Sequence, residues 1–290
     1  MTSLAALPAR AGRRCHNVIN PMHSTVYFSP DATREFAGVG IEDRRAAYFA
    51  GRAAAMGAVG PGAVAATFYN FKYELVARHL PAVWEIASPQ VVLAARTRAA
   101  DTTLRRLLGD EAVASDEMAE AARLALRAAE ACTRHARPLY AAHADLPVPD
   151  EPHLAYWHAA TLLREHRGDG HLTALLEADL DPLEALVSHT ATGKGMTPKW
   201  ILAMRGWTQE EWDVAVARLT GRGLLATDGE LTPAGVELRK DIEDRTDRLD
   251  AAPYAHLGAA GVERLTELAT GFIATALGAG AFPADLIGKG

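Results

Sequence analysis

The sequence predicts a mainly α-helical protein. It reads as two tandem, duplicated helix-turn-helix modules in a pseudo-two-fold arrangement, with one winged β-hairpin in the second copy. Three observations lead there. Alanine is abundant and runs of β-branched residues are sparse, which favours helix. SPQVVLAAR (Ser88 to Arg96) and TPKWILAMR (Thr197 to Arg205) repeat one helix start, a hydroxyl residue followed by Pro at the first helical position. Their spacing is constant, since Pro89 stands as far from Pro198 as Arg96 does from Arg205. Finally, Leu224 to Thr227 and Glu230-Leu231 flank Asp228-Gly229, a strong short-range hairpin signal.

Residues 1–14 read as an N-terminal arm, short and basic at its end, without the charged-then-apolar order of a signal peptide. Residues 15–114 are the first, wingless copy. It contains a helix near Cys15 and Pro21, a helix around Ala47-Tyr-Phe49, a turn at Gly60-Pro-Gly62, a further helix and then the SP helix. Residues 115–258 hold a connecting helix and the second, winged copy. Ser115-Asp-Glu117 supplies an N-cap and an acidic first turn. The stripe Met118, Ala122, Ala125, Ala129, Cys132 and Ala136 then predicts one long strut reaching His143. Cys132, Pro138, Ala155-Tyr-Trp157 and Gly168-Asp-Gly170 answer Cys15, Pro21, Ala47-Tyr-Phe49 and Gly60-Pro-Gly62 in order, with one small deletion. Ordered self-similarity of this kind is the mark of a duplication.

Only the second copy continues further. Gly206-Trp207 makes a tight turn, and Thr208 with Glu211 forms a capping box. Trp212, Ala215, Val216 and Leu219 then recur at helical spacing and predict one buried stripe. Beyond the hairpin, Thr232-Pro233 starts a helix with Leu238, Ile242 and Leu249 on one face. Residues 259–290 give a C-terminal packing helix, roughly Gly261 to Leu277, and a tail.

With 49% hydrophobic and 23% charged residues in 290, the chain has the make-up of a folded globular protein and not of a disordered one. A net charge of −6 means that a nucleic-acid partner would need a locally basic surface. Cys15 and Cys132 fit no metal or redox spacing, which points to a reducing compartment. The apolar stretch Leu268 to Phe282 is too short to span a bilayer, so a cytoplasmic protein without a membrane partner is expected.

The segment from Arg218 through Gly221-Arg-Gly223, Asp228-Gly229 and Thr232-Pro-Ala-Gly235 to Leu238 resembles the recognition-helix end, wing and following helix of MarR-type winged-helix proteins. Pro21 to Pro30, Tyr48 to Ala54, Phe68 to Phe71 and Ser88 to Arg96 are similar to recurring pieces of an actinobacterial family of tandem helix-turn-helix proteins. The resemblance covers nearly the whole chain. It implies a regulator in which the tandem copy builds a two-fold pseudo-dimer inside one polypeptide. It also implies a small-molecule site between the dimerisation helices and a DNA-binding lobe.

Charge qualifies the DNA-binding expectation. The candidate recognition helix opens with Thr208-Gln-Glu-Glu-Trp-Asp213, whose carboxylates repel a polyanion, and the wing tip Ala226 to Glu230 carries no cation. Arg96, Arg98, Arg105 and Arg106 cluster in the first copy, where the wing is missing, and could bind DNA weakly or form a solvated helix face. No His-x3-His, HExxH or CxxC occurs, so no metal site is expected.

One concentration stands out in a chain with only 7% aromatics. His23 and Tyr27 share a helical face, as do Tyr48 and Arg52, and Phe68, Tyr69, Asn70 and Phe71 follow. The group is either an aromatic core with satisfied polar tips or a ring-lined ligand pocket formed by His23, Tyr27, Tyr48, Arg52, Phe68, Tyr69 and Asn70. His23 could serve as a general base or as an axial haem ligand. The readings left open are a ligand-binding regulator, a biosynthetic enzyme or ligand carrier on the same scaffold, haem included, and a protein-interaction module.

Overall fold

The computed structural model describes residues 7–288. Residues 1–6 of the expected N-terminal arm and the last two residues of the tail lie outside the described residues. In chain order the main helices are α1 (Ala11–Ser24), α2 (Pro30–Ala37), α3 (Arg44–Ala53), α4 (Pro61–Phe68) and α5 (Pro89–Leu108). They continue with α6 (Asp116–Ala129), α7 (Pro138–Ala144), α8 (Pro152–Glu177) and α9 (Pro182–Thr190). The last four are α10 (Pro198–Arg205), α11 (Gln209–Gly221), α12 (Pro233–Leu249) and α13 (Ala251–Gly278), the last kinked at Gly258. Among the described residues no helix is long and apolar enough to cross a membrane.

Three apolar cores organise these helices. Phe36, Phe49, Phe68, Phe71 and Val92 fill the first, from α2 to the start of α5. Ile19, Met118, Trp157, Leu163 and Leu265 belong to the central one, where α1, α6, the first half of α8 and α13 meet. Leu175, Leu186, Ile201, Trp212 and Ile242 belong to the last, from the end of α8 to α12. Helix α8 serves two of the cores. Its 26 residues rise about 39 Å, and from His153 to Leu163 every residue is buried, as the centre of a helical core requires. The strut expected over Ser115 to His143 is instead broken after Ala129, and α8 takes that role.

The sequence repeat does not become a repeat of elements. Pro21 lies inside α1, whereas Pro138 opens α7. Gly60-Pro-Gly62 starts α4, but Gly168-Asp-Gly170 lies inside α8. The physical reason is local. Pro61 has no N–H to continue a helix, while Asp169 has one and uses its carboxylate to accept the backbone N–H groups of Leu139 and Tyr140 at 3.1 and 2.9 Å. A Cβ on Gly170 would lie 2.7 Å from the Arg137 guanidinium, so this glycine serves close packing and not a turn. The SP and TP helices also differ in length, at 20 and 8 residues.

Two helices joined by a tight turn, Pro198–Arg205 and Gln209–Gly221, form where the sequence places them. Thr208 Oγ1 accepts the Glu211 N–H at 3.2 Å, and the Glu211 carboxylate accepts the Thr208 N–H at 2.9 Å, which closes the capping box. The expected β-hairpin shrinks to one antiparallel bridge between Leu225 and Leu231. Thr232 already caps α12 through the Gly235 N–H, so the return strand has no room for a ladder.

The turn between α10 and α11 is docked on the first core. The last carbonyls of α10 have no partner within their own helix. Arg45 donates to Ala203 O at 2.9 Å and the Lys72 N–H donates to Arg205 O at 3.0 Å. Trp207 Nε1 donates to Asn70 O at 3.0 Å, Lys72 pairs with Glu211, and Tyr69 reaches the Leu180 carbonyl. Gly206 is required by conformation and by space. Its φ is +85°, and a Cβ there would meet Leu75 at 2.8 Å. Gly206→Ala should therefore lower unfolding free energy by about 1–3 kcal/mol, measured by urea unfolding.

Candidate functional site

Docking of the turn leaves a cleft of about 560 Å³ between the first and last cores. From one side α3 presents Tyr48 and Arg52, and α4 with the turn after it presents Phe68 and Asn70. From the other side come His189 on α9, Arg205 on α10, and Arg239 and Glu243 on α12. Its floor is the polar stretch of α8 from Arg164 to His171.

Of the residues singled out in the sequence, Tyr48, Arg52, Phe68 and Asn70 thus come together on one wall. The Arg52 guanidinium lies 4.0 Å from the Phe68 ring centroid and donates to Tyr48 Oη at 3.2 Å. His23 stands behind this wall, fully buried, with Nδ1 2.8 Å from Thr161 Oγ1 and Nε2 2.7 Å from Tyr27 Oη. Burial, with Arg164, Arg96 and Arg52 nearby, holds its pKa well below the ordinary histidine value. Both ring nitrogens are engaged, so His23 offers none to a haem iron. Tyr27 lies beyond Tyr48, at a second hollow of about 700 Å³ shared with Phe49, Phe71 and Met204. Tyr69 tethers the two halves instead of lining the cleft, from a backbone at φ +56°, uncommon for a bulky residue.

The arginine group expected to contact DNA also divides. Arg96 is 4% exposed, stacked 4.5 Å from the Trp157 ring and 3.3 Å from His143 Nε2, so it cannot reach a duplex. The alanine-rich sequence around it gave no sign that this position faces inward. Arg98, Arg105 and Arg106 reach the surface but are paired with Glu35, with Asp101 and Asp110, and with Asp31.

Sequence reasoning missed the contribution of the second half. Glu165 on α8 is 1% exposed and faces Arg52 Nη2 at 3.3 Å, with Arg164 beside it. Burial pushes its carboxyl up, but Arg164 and Arg52 outweigh burial and bring it down to about 2. Burial would likewise raise the Tyr48 phenol, yet Arg52, Arg205 and Arg164 hold it below the ordinary tyrosine value. The available signal was the charge-dense run Arg164 to His171, in a helix whose preceding turns are apolar all round.

A family model described as a helix-turn-helix family matches residues 12–283. Neither a curated protein nor a solved structure matches the chain.

Two outcomes follow from this geometry. His23→Ala should cost about 2–4 kcal/mol of stability, because it opens a cavity and leaves Tyr27 and Thr161 without their partner; thermal unfolding measures the loss. Burial also pushes His171 and His189 down to about 4. The folded state therefore holds fewer protons on them than the unfolded chain, and their contribution, present above pH 6.5, is lost as pH falls towards 4. The melting temperature should drop through that window, and His189→Gln should flatten the slope in a circular-dichroism series.

Proposed function

The chain belongs to a helix-turn-helix family, and from that premise we propose a regulator-like protein that binds a small molecule between its two halves and holds DNA only weakly. One observation carries this reading: the end of α10, where the turn to α11 begins, borders the cleft. Arg205, the last residue of α10, lines it, and the adjoining turn is fastened to Asn70 and Lys72 on the opposite side. A molecule in the cleft would therefore set the position of α11 relative to the first core. The MarR-like expectation of a site beside the DNA-binding lobe agrees with this placement.

Helix α11 supports weak DNA binding. Recognition helices read base edges with their N-terminal residues, yet the start of α11 is engaged by the first core through Glu211 and Lys72. Its exposed residues begin with Gln209, Glu210, Asp213, Val214 and Ala217, which are acidic or uncharged, and the one exposed cation on the helix, Arg218, comes only in its last turn. Arg218 and Arg222, the nearest cations, are paired with Asp181 and Glu184. A second reading, an enzyme on the same scaffold, rests on Tyr48, whose phenol borders the cleft with its proton loosened by three arginines and suits general acid–base work.

Fluorescence anisotropy on duplex DNA tests the leading reading. Affinity should be weak and fall steeply with salt. The Glu210→Gln, Asp213→Asn pair should strengthen non-specific binding by about 2- to 20-fold. Lys72→Ala should release α11 and change DNA affinity in the same assay. Tight sequence-specific binding by the native chain, with the two acids in contact, would overturn the proposal.

A further inference from the structure

We infer that the cleft takes a small organic molecule carrying a doubly negative oxyanion group, a phosphate monoester or a dicarboxylate, seated beside Tyr48 by Arg52, Arg164 and Arg205. This rests on the reading of the cleft as a ligand site and names the chemistry it selects.

Charge makes the first argument. Arg52, Arg164 and Arg205 all stand near Tyr48, but only Arg52 and Arg164 pair with a carboxylate there, the single Glu165, which leaves an excess of two positive charges at this end of the cleft. At the other end Arg167 is answered by Glu243 and Asp247, and Arg239 lies 3.9 Å from Glu243, so the uncompensated charge is confined to the end beside Tyr48. The histidines do not add to it, because burial keeps His171 and His189 neutral at pH 7. Asp169 does not answer the arginines either, as its carboxylate is spent on the Leu139 and Tyr140 backbone N–H groups. A buried excess of like charge is costly unless something compensates it.

Hydrogen bonding makes the second argument. Arg52 and Arg239 are each 6% exposed, and buried guanidinium N–H groups are nearly always paired. Yet Arg52 Nε, Arg205 Nε, and Arg239 Nε and Nη1 have no partner. Arg205 is held by Phe71, its guanidinium 4.0 Å from the ring centroid, and makes no ion pair among the described residues. Guanidinium forks match carboxylate and phosphate oxygens bidentately, and such charge-assisted bonds are the strong ones. Phe68, Leu172, Leu175 and Leu186 supply an apolar lining for the organic body. The volume of about 560 Å³ suits a metabolite and is far too small for a DNA duplex.

The test uses the full chain and thermal shift at constant ionic strength, with inorganic phosphate, succinate and sodium chloride as probes. Phosphate or succinate should raise the melting temperature saturably while chloride does not, and the stronger of the two identifies the group. Arg205→Gln should weaken that binding about tenfold or more, with its own melting temperature unchanged or higher because repulsion is relieved. Arg205→Lys, which keeps the charge and loses the fork, should fall between. If neither anion stabilises beyond chloride, or if Arg205→Gln binds as the native chain does, the inference is overturned. Saturable stabilisation by the neutral probe phenol, with no response to either anion, would sink the anionic ligand and leave the cleft as a ligand site. No response to any probe would remove both.

Discussion

A buried carboxylate organises this molecule. Glu165 sits inside α8, and it can remain ionised there only because Arg52 on α3 and its neighbour Arg164 stand against it. Removing one partner of such a pair costs about 3–5 kcal/mol, because the remaining charge is stranded away from water. The pair therefore fixes α3 against α8 more specifically than apolar packing would. With α3 fixed, Tyr48 is held at the cleft, Phe68 receives the Arg52 guanidinium, and the Asn70–Lys72 turn stands where α10 ends.

Polar ties of the same kind run along α8. Asp169 accepts two backbone N–H groups at the start of α7, and Arg137 bonds the carbonyls of His166 and Leu249. Arg167 pairs with Glu243 and Asp247 on α12, and His166 lies 2.7 Å from Asp250. A helix buried over most of its length would slide or rotate easily if only apolar contacts held it. These directional partners give it one register, and the cleft inherits that rigidity.

The local signals in the sequence proved the legible ones. The capping box at Thr208 and Glu211, the serine cap with proline on α5 and the helical stripe through Trp212, Ala215 and Leu219 depend on residues within one or two turns. The hairpin at Asp228-Gly229 was over-read, because strand formation also needs length and Thr232 ends the return run too soon. The repeat was over-read for a related reason. Gly168-Asp-Gly170 looks like Gly60-Pro-Gly62 as text, but only one of them has the proline that forces a helix start. The candidate site was legible by half. Tyr48, Arg52, Phe68 and Asn70 lie close in sequence and on successive elements, whereas Glu165, Arg205 and Arg239 reach them only through tertiary folding.

The fastening of the turn between α10 and α11 is made chiefly of donors meeting backbone carbonyls, from Arg45 to Ala203, Lys72 to Arg205 and Trp207 to Asn70. Water can replace such bonds group for group, so each contributes little net free energy. The fastened and released forms would then lie close in free energy, and whatever occupies the cleft becomes the variable that sets their balance.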